Sequence, residues 1–217
     1  PTGGGWQYEP KWDGFRCLVF KDGTEVELYS RNQRPLNRYF PELVEALAAM
    51  PAAKAVLDGE IILRLHGKAS FEALQLRLHP AASRIRKLAA ETPATFIAFD
   101  ILADAKGRDL RNHVLDERRA ALEALHDRID DPRIELSPRT TSAATARRWL
   151  NRVGHGLDGI VAKRRDDTYH PGERAMVKYK IWKTIDAVLA AFYEDKSGRV
   201  EYLLLGLYDD DGLLHYV

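Results

Sequence analysis

The chain has 217 residues, of which 45% are hydrophobic and 30% are charged, so it can form a sizeable core and global disorder is excluded. Its 33 basic and 32 acidic residues leave a formal net charge of +1, which excludes an overall basic surface but allows one basic face. The single cysteine, Cys17, rules out an intramolecular disulfide and a cysteine-based zinc site.

Nothing in the sequence indicates a membrane or an export signal. It contains no run of about 18 apolar residues, the length that a transmembrane helix needs. Residues 1–5 lack both the basic start and the apolar stretch of a signal peptide. Together with the lone cysteine, these features predict a reduced, cytoplasmic setting.

The first third of the chain predicts a hairpin, a helix and a strand. Residues 16–29 alternate around Asp22-Gly23, a strong turn signal, and predict the hairpin. Pro41 suits the first turn of a helix. The apolar stretch 56–63 predicts a strand, which its central Asp-Gly-Glu triplet is expected to interrupt with a bend.

The middle of the chain predicts a helix and a buried strand. Ser70 is interpreted as the N-cap of a helix that buries Phe71, Leu74 and Leu78. Residues 95–102 are rich in β-branched and aromatic types, which predicts a buried strand.

Two further helices and two strands are predicted before residue 183. Asp116 and Ser142 are interpreted as helix N-caps, and short strands are expected at 158–163 and 177–182. Clusters of basic residues are interpreted as solvated helix faces. They are Arg84/Arg86/Lys87, Arg118/Arg119 and Arg147/Arg148.

The pattern changes near residue 183, after which the chain predicts only β-strands and turns. Three strands are expected, at 187–193, 200–208 and 213–217. They are interpreted as the opening of a second, small β domain that the chain does not finish. The strand at 200–208 is expected to present an unpaired edge, which favours aggregation.

The commonest nucleotide-binding motifs are missing from the sequence, which lacks G-x-x-x-x-G-K-[ST] and lacks G-x-G-x-x-G after a strand. A different candidate is Lys11, within Lys11-Trp12-Asp13-Gly14. A lysine amine is a nucleophile when neutral, and burial or nearby cations favour that form. Taken alone, these four residues are more typical of an exposed turn.

Five further segments change that interpretation, because they add carboxylates, an aromatic ring and cations, mostly at strand ends. Carboxylates hold Mg²⁺, cations neutralise phosphate in a transition state, and an aromatic ring stacks on a base. This set of side chains suits nucleotidyl transfer. The segments are Ser30-Arg31-Asn32, Asp58-Gly59-Glu60, Phe99-Asp100, Asp158-Gly159-Ile160-Val161-Ala162-Lys163 and Lys178-Tyr179-Lys180.

The order of these motifs resembles that of the covalent nucleotidyltransferases, which comprise ATP-dependent DNA ligases, RNA ligases and mRNA capping enzymes. Three segments are most similar to bacterial ATP-dependent DNA ligases of the repair and end-joining type. These segments are residues 9–16, 99–102 and 169–174. The resemblance extends from about residue 9 to residue 183, most of the chain.

The resemblance implies an α+β fold of the ATP-grasp-like nucleotidyltransferase type. Mostly antiparallel sheets, flanked by helices, would form a nucleotide cleft and be followed by the first strands of an OB-like β-barrel. Residues 1–183 would be the adenylation domain, and residues 184–217 the incomplete beginning of an OB-fold domain. The family's last motif, which orients the pyrophosphate of ATP, is not found in this sequence.

The resemblance also implies an activity and a setting. Lys11 would take AMP from ATP as a covalent lysyl-AMP and pass it to a DNA 5′-phosphate, after which a 3′-OH seals the strand. The substrate would be nicked or broken duplex DNA, with no membrane involved. The enzyme would be a monomer in the bacterial cytoplasm, associated with the nucleoid.

The site residues follow from the same resemblance. Phe99 would stack on adenine, and Glu60 and Asp158 would hold Mg²⁺ or Mn²⁺. The residues implied to contact the nucleotide are Glu9, Arg16, Arg31, Glu60, Phe99, Arg174, Lys178 and Lys180.

Asp158 departs from the family pattern, which usually has glutamate at this position. Aspartate is one methylene shorter, but it can ligate Mg²⁺ directly or through water. Two alternatives stay open at this point. One is an RNA ligase or a GTP-using capping enzyme, and the other is a catalytically silent nucleic-acid-binding module that keeps the fold.

Overall fold

The computed structural model describes residue 1 and residues 3–151, 153, 156–173, 175–181 and 184–217. The chain divides into two compact units, Pro1–Ile181 and Trp182–Val217. Within the described residues, no helix has the length and apolar character needed to cross a membrane.

The first unit combines strands with short helices. Its strands are β1 (Trp6–Trp12), β2 (Phe15–Asp22), β3 (Glu25–Ser30), β4 (Lys54–Leu65), β5 (Lys68–Ala69), β6 (Ala94–Ala103), β7 (Ile134–Leu136), β8 (Leu157–Arg164) and β9 (Val177–Lys180). Its helices are α1 (Pro41–Ala49), α2 (Phe71–Gln75), α3 (Ala82–Glu91), α4 (Leu115–His126) and α5 (Ala143–Leu150).

These strands form two sheets. The larger sheet has the spatial order β3-β2-β4-β6-β7, and β5 pairs with β4 at one end. Its strands pair antiparallel except for β6 and β7, which run parallel. The smaller sheet has the order β1-β8-β9 and is antiparallel. The predicted α+β architecture with mostly antiparallel sheets is therefore present.

The main hydrophobic core lies against one face of the larger sheet. Apolar residues of β2, β3, β4 and β6 pack there against helices α1, α2 and α4. The helices contribute the buried leucines Leu43, Leu47, Leu74, Leu122 and Leu125. Because side chains alternate along a strand, Arg16 of β2 and Asp58 and Glu60 of β4 lie on the opposite face of the same strands.

Most of the predicted elements are present. The hairpin at 16–29 is the β2–β3 pair, and Pro41 is the first residue of α1. Ser70 and Ser142 cap α2 and α5, each accepting a hydrogen bond from the backbone N–H three residues ahead. The prediction that helix α2 buries Leu78 was wrong. This helix ends at Gln75, and the Leu78 side chain, in the turn beyond it, is 50% exposed.

The strand predicted at 56–63 is longer and straighter than expected. It runs without a bend as β4, so the prediction that its Asp-Gly-Glu triplet interrupts it was wrong. The irregularity lies in the neighbouring β6 instead. Asp58 pairs with Asp100 and Gly59 pairs with Ala98, which leaves Phe99 between the two pairs as a β-bulge.

Helix α4 begins two residues earlier than predicted. Its N-cap is Val114, and Asp116 lies in the first turn, so the prediction that Asp116 is the cap was wrong. The physical reason is a stronger competing partner. Both carboxylate oxygens of Asp116 accept hydrogen bonds from Arg165, at 2.9 and 2.6 Å.

Arg118 and Arg119 were also predicted wrongly, since neither lies on a solvated face. They are 3% and 2% exposed. Arg118 donates two hydrogen bonds to buried Asp100, and Arg119 donates to Glu123 and to the carbonyl oxygen of Ser137. Buried guanidinium groups require such partners. The other clustered basic residues are exposed, as predicted: Arg84, Arg86, Lys87, Arg147 and Arg148.

The second unit is a three-stranded antiparallel sheet, as its sequence pattern predicts. Its strands are β10 (Val188–Glu194), β11 (Val200–Tyr208) and β12 (Leu214–Tyr216). The prediction of an unpaired edge at 200–208 was wrong, because β11 is the central strand and pairs on both sides. The edges of this sheet are β10 and β12.

We predict that Gly59→Ala lowers the free energy of unfolding by about 3 kcal/mol, because overpacking forces β4 and β6 apart. An added Cβ would lie 2.5 Å from the carbonyl oxygen of Ile97 and from the ring of Phe96. Urea unfolding measures the difference. Gly4→Ala is the matched control, since no atom lies within 4 Å of its added Cβ. Equal stability of the two variants would contradict the prediction.

Candidate active site

The smaller sheet places several predicted site residues in register on one face. Residues directly opposite each other in an antiparallel sheet point to the same side. Lys11 of β1 and Lys180 of β9 are both opposite Gly159 of the central strand β8. Two positions along, Glu9 and Lys178 are both opposite the same residue of β8. One face therefore presents a carboxylate and three amines.

Gly159 allows the three strands to approach at this point. It has a φ of 152°, and an added Cβ would lie 2.0 Å from the carbonyl oxygen of Tyr179. Only glycine fits that position. The register also shifts between Lys11 and Trp12, where β1 is irregular. Both features lie beside the contact between Lys11 and Asp158.

Asp158 is shared by two lysines. Its Oδ2 atom accepts hydrogen bonds from the Nζ atoms of Lys11 at 2.5 Å and Lys180 at 2.9 Å. Partial burial raises the pKa of Asp158, but the hydrogen bonds and charges of the two lysines outweigh it and hold that pKa below its usual value. The Lys11 amine is therefore held in one direction by an ionised carboxylate.

Glu9 is buried at the other end of this face. Its two oxygens accept hydrogen bonds from the Gln7 side chain at 2.7 Å and from Lys163 at 2.8 Å. The Lys163 ammonium also lies 4.6 Å from the centre of the Phe99 ring. This buried ion pair therefore continues the polar face of the smaller sheet as far as an aromatic ring of the larger sheet.

The larger sheet supplies the opposing wall. Arg16 of β2 lies opposite Glu60 of β4. Its guanidinium donates hydrogen bonds of 3.0 and 2.6 Å to the two oxygens of Asp58, and its central carbon lies 5.9 Å from the centre of the Phe99 ring. The β-bulge in β6 brings Phe99 to this face beside Arg16.

The two walls enclose an open pocket within the first unit. It is lined by Glu9, Pro10, Lys11, Trp12, Arg16, Arg31, Glu60, Phe99, Val161, Lys163, Met176 and Lys178. Among the described residues, the fold thus brings together most of the predicted site. Asp158 lies beside the pocket, where it is bonded to both Lys11 and Lys180. Arg174 lies outside the described residues.

Sequence reasoning missed several residues of this pocket. Trp12 was not assigned to the predicted site, yet it lines the pocket, and its indole N–H donates to the hydroxyl of Ser137 at 3.0 Å. Lys163 was left out of the predicted site. Strand alternation could have found it, because it lies two residues after Val161, which faces the same pocket. Alternation also places Asp58 on the same face as Glu60, two residues further along β4, but its pairing with Arg16 of a different strand has no signal in the sequence.

Comparison with known proteins identifies the family. Residues 2–180 match the family described as ATP dependent DNA ligase domain. The chain belongs to the ATP-dependent DNA ligases. DNA ligase C2 of Mycolicibacterium smegmatis is 54% identical over 214 residues, which cover 97% of this chain and 60% of the relative. This ligase chain therefore spans about 60% of that relative's length.

Solved ligase structures support the fold. The crystal structure of the ligase domain of LigD from M. tuberculosis superposes with a TM-score of 0.67 at 32% identity, covering 97% of this chain and 64% of that one. A mycobacterial DNA ligase D complexed with ATP and MES superposes with a TM-score of 0.65 at 31% identity, with the same coverage. The predicted fold class and family are therefore confirmed.

Burial in the ligase pocket disfavours the charged forms of two side chains, Glu60 and Lys178. Burial raises the pKa of Glu60 to about 8, although the charges of Lys11 and Arg16 oppose the shift. Burial also lowers the pKa of Lys178, and the cations of Arg16, Arg31 and Lys11 add to the effect. A bound cation would favour ionised Glu60, and a bound phosphate would favour charged Lys178.

The carboxylates suit a magnesium ion that arrives with a nucleotide. Among the described residues, no group of three or more His, Cys, Asp or Glu side chains converges to hold a metal. Mg²⁺ commonly uses only one or two carboxylates together with water and substrate phosphates. Glu60 lines the pocket and Asp158 lies beside it, so each offers one carboxylate to such a donor set.

We predict that Glu60→Gln stabilises the nucleotide-free and metal-free protein more at pH 8 than at pH 5. The folded-state pKa of Glu60 is raised from 4.5 to about 8, so the unfolded chain loses this proton first. Wild-type stability therefore falls as pH rises through that window, and the Gln variant lacks this loss. Urea unfolding at both pH values gives the difference. A difference independent of pH would contradict the prediction.

Proposed function

We propose that this chain is the nucleotide-transfer core of an ATP-dependent DNA ligase, with residues 1–183 as its adenylation domain and residues 184–217 as the first strands of an OB-fold domain. Lys11 takes AMP from ATP as lysyl-AMP and passes it to a DNA 5′-phosphate, and a 3′-OH then attacks that phosphate, releases AMP and seals the strand. The observation that carries the proposal is the position of the Lys11 amine, beside a carboxylate at the wall of a pocket lined by cations and by the aromatic side chains of Trp12 and Phe99.

The first step is an attack of the Lys11 Nζ atom on the α-phosphate of ATP. A P–N bond forms, the bond between the α-phosphorus and the pyrophosphate oxygen breaks so that pyrophosphate leaves, and the protons that the amine loses pass to solvent. We assign Asp158 the role of directing the amine, because a carboxylate with a lowered pKa is a weak base. Lys180, on the same carboxylate, lies where its charge can stabilise the transferring phosphate.

The nucleotide would lie across the pocket. Phe99 offers a ring face for adenine, and buried Glu9 offers carboxylate oxygens at the edge of the base. Arg16, Arg31 and Lys178 supply positive charge for the ribose-phosphate portion. When bound, Mg²⁺ or Mn²⁺ at Glu60 and Asp158 would neutralise phosphate charge. The ATP complex of the related DNA ligase D supports ATP as the nucleotide.

The partners follow from the family. We infer that the substrate is nicked or broken duplex DNA, and that the enzyme acts as a monomer in the bacterial cytoplasm, close to the nucleoid. The similarity to DNA ligase C2 and to the LigD ligase domain supports DNA over RNA as the substrate. Intact Lys11, Glu60 and Lys180 argue against a silent binding module.

We predict that Lys11→Arg abolishes the covalent AMP adduct while the fold is kept. Arginine retains the positive charge, but its guanidinium does not deprotonate near neutral pH and provides no amine nucleophile. The measurement is incubation with α-labelled ATP and Mg²⁺, followed by denaturation and detection of label on the protein. Lys68→Arg, at an exposed position of β5, is the control and should label normally.

Two results would count against this assignment. Label retained on the Arg variant would show that position 11 supplies charge rather than a nucleophile. Label transferred from α-labelled GTP in preference to ATP would favour the capping-enzyme alternative.

We predict that Glu60→Ala and Lys180→Ala each slow adduct formation by about 30- to 1000-fold, which corresponds to about 2–4 kcal/mol of transition-state stabilisation. Asp158→Glu should be tolerated, because the longer carboxylate can still bond both lysines. Single-turnover labelling measures the rates, with Lys106→Ala as an exposed-lysine control. Near-wild-type rates in both alanine variants would place the site elsewhere.

A further inference from the structure

Asp58 lies behind the pocket wall and has two partners from distant parts of the chain. It is 0% exposed. Arg16 donates to both of its oxygens, at 3.0 and 2.6 Å. The hydroxyl of Tyr169 donates to Oδ2 at 3.0 Å, and Arg16 also lies 3.4 Å from that hydroxyl. The three side chains form a closed hydrogen-bonded triangle in which Asp58 is the acceptor.

Tyr169 belongs to the segment that connects β8 to β9, the strands that carry Asp158 and Lys180. This connection is fixed to the larger sheet and its helix α4. The backbone N–H of Tyr169 donates to the carbonyl oxygen of Arg111 at 2.9 Å. The Asp167 carbonyl accepts from the Leu115 backbone N–H at 2.9 Å. The connection is thus held at its backbone before any side chain is considered.

The Tyr169 ring also has a fixed partner, the guanidinium of Arg118. The guanidinium of Arg118 lies 5.8 Å from the ring centre and is itself fixed by two hydrogen bonds to Asp100, the residue after Phe99. Burial and the charge of Asp58 raise the pKa of Tyr169 above its usual value. The hydroxyl therefore stays protonated, and so able to donate, throughout the range of ordinary assays.

Arg16 is the member of the triangle that reaches the pocket. Its guanidinium lines the pocket next to Phe99, and the hydrogen bonds that it donates to Asp58 are the main cause that raises its pKa. A guanidinium has a planar fork, so its direction depends on the carboxylate that faces it. Whatever fixes Asp58 also fixes the direction in which Arg16 can meet a ligand.

We propose that Tyr169 is a positioning residue for nucleotide binding: by holding Asp58, it directs Arg16 into the pocket and ties the strands that carry Asp158 and Lys180 to the opposite wall. The proposal rests on the proposed function, since it takes ATP as the ligand. It assigns Tyr169 no contact with the nucleotide. Its effect must therefore pass through Arg16.

The test compares Tyr169→Phe, Arg16→Lys and the double variant of the complete protein. Calorimetry without divalent metal gives the dissociation constant of ATP, and α-labelled ATP with Mg²⁺ then gives the rate of adduct formation. Tyr179→Phe is the matched control, because this tyrosine is 56% exposed on β9. Thermal unfolding checks that each variant is folded.

We expect Tyr169→Phe to weaken ATP binding by about fivefold to tenfold, the effect of one ordinary hydrogen bond, because the change reaches the nucleotide only through Arg16. In the Arg16→Lys background the same change should weaken binding by no more than about twofold, because the fork that Asp58 directs is already gone. Tyr179→Phe should bind ATP like the wild type.

The proposal is overturned if Tyr169→Phe binds ATP like the wild type. It is also overturned if the loss is equally large in both backgrounds, since Tyr169 would then act independently of Arg16. A wild type that binds ATP but forms no adduct would refute the proposed function alone, and the binding constants would still decide the role of Tyr169. A wild type that does not bind ATP would refute both.

Discussion

The pairing of β1 with β8 is the constraint on which the site depends. Lys11 and Asp158 are 147 residues apart in sequence and meet only because these strands are antiparallel and in one register. A slip of one residue would turn Lys11 to the other face of the sheet. Gly159 lets the strands approach where the two side chains meet, so backbone geometry and the ion pair specify the same arrangement.

The second wall depends on an irregularity rather than on regular pairing. The β-bulge at Phe99 leaves part of the ladder unpaired, and the Asp100 carboxylate accepts the hydrogen bond of the next backbone N–H, at 2.9 Å. Asp100 is buried, so it also needs a cation, which Arg118 provides from α4. Displaying an aromatic ring in the pocket therefore involves a buried ion pair behind it.

The sequence could predict features that depend on local patterns, but not those that depend on contacts between distant elements. Strands, helices and two serine caps follow from local patterns, and the ordered motifs of a known family indicated Lys11 and its partners. The bulge at Phe99 does not follow from period-two alternation, which places adjacent residues on opposite faces. The burial of Arg118 depends on Asp100, in a different element, so a helical pattern alone predicted a solvated face.

We propose that the charges of the cleft suit a ligand that brings both phosphate and a cation. Asp158, Asp58 and Glu9 are each paired with a cation of the protein. Among the described residues, Arg31 and Lys178 line the same pocket without an ion pair within 4 Å, and the protonated form of Glu60 is favoured by burial. A triphosphate alone would satisfy the two cations and leave Glu60 protonated. A nucleotide carrying a divalent ion would satisfy all three groups, because the ion favours the carboxylate.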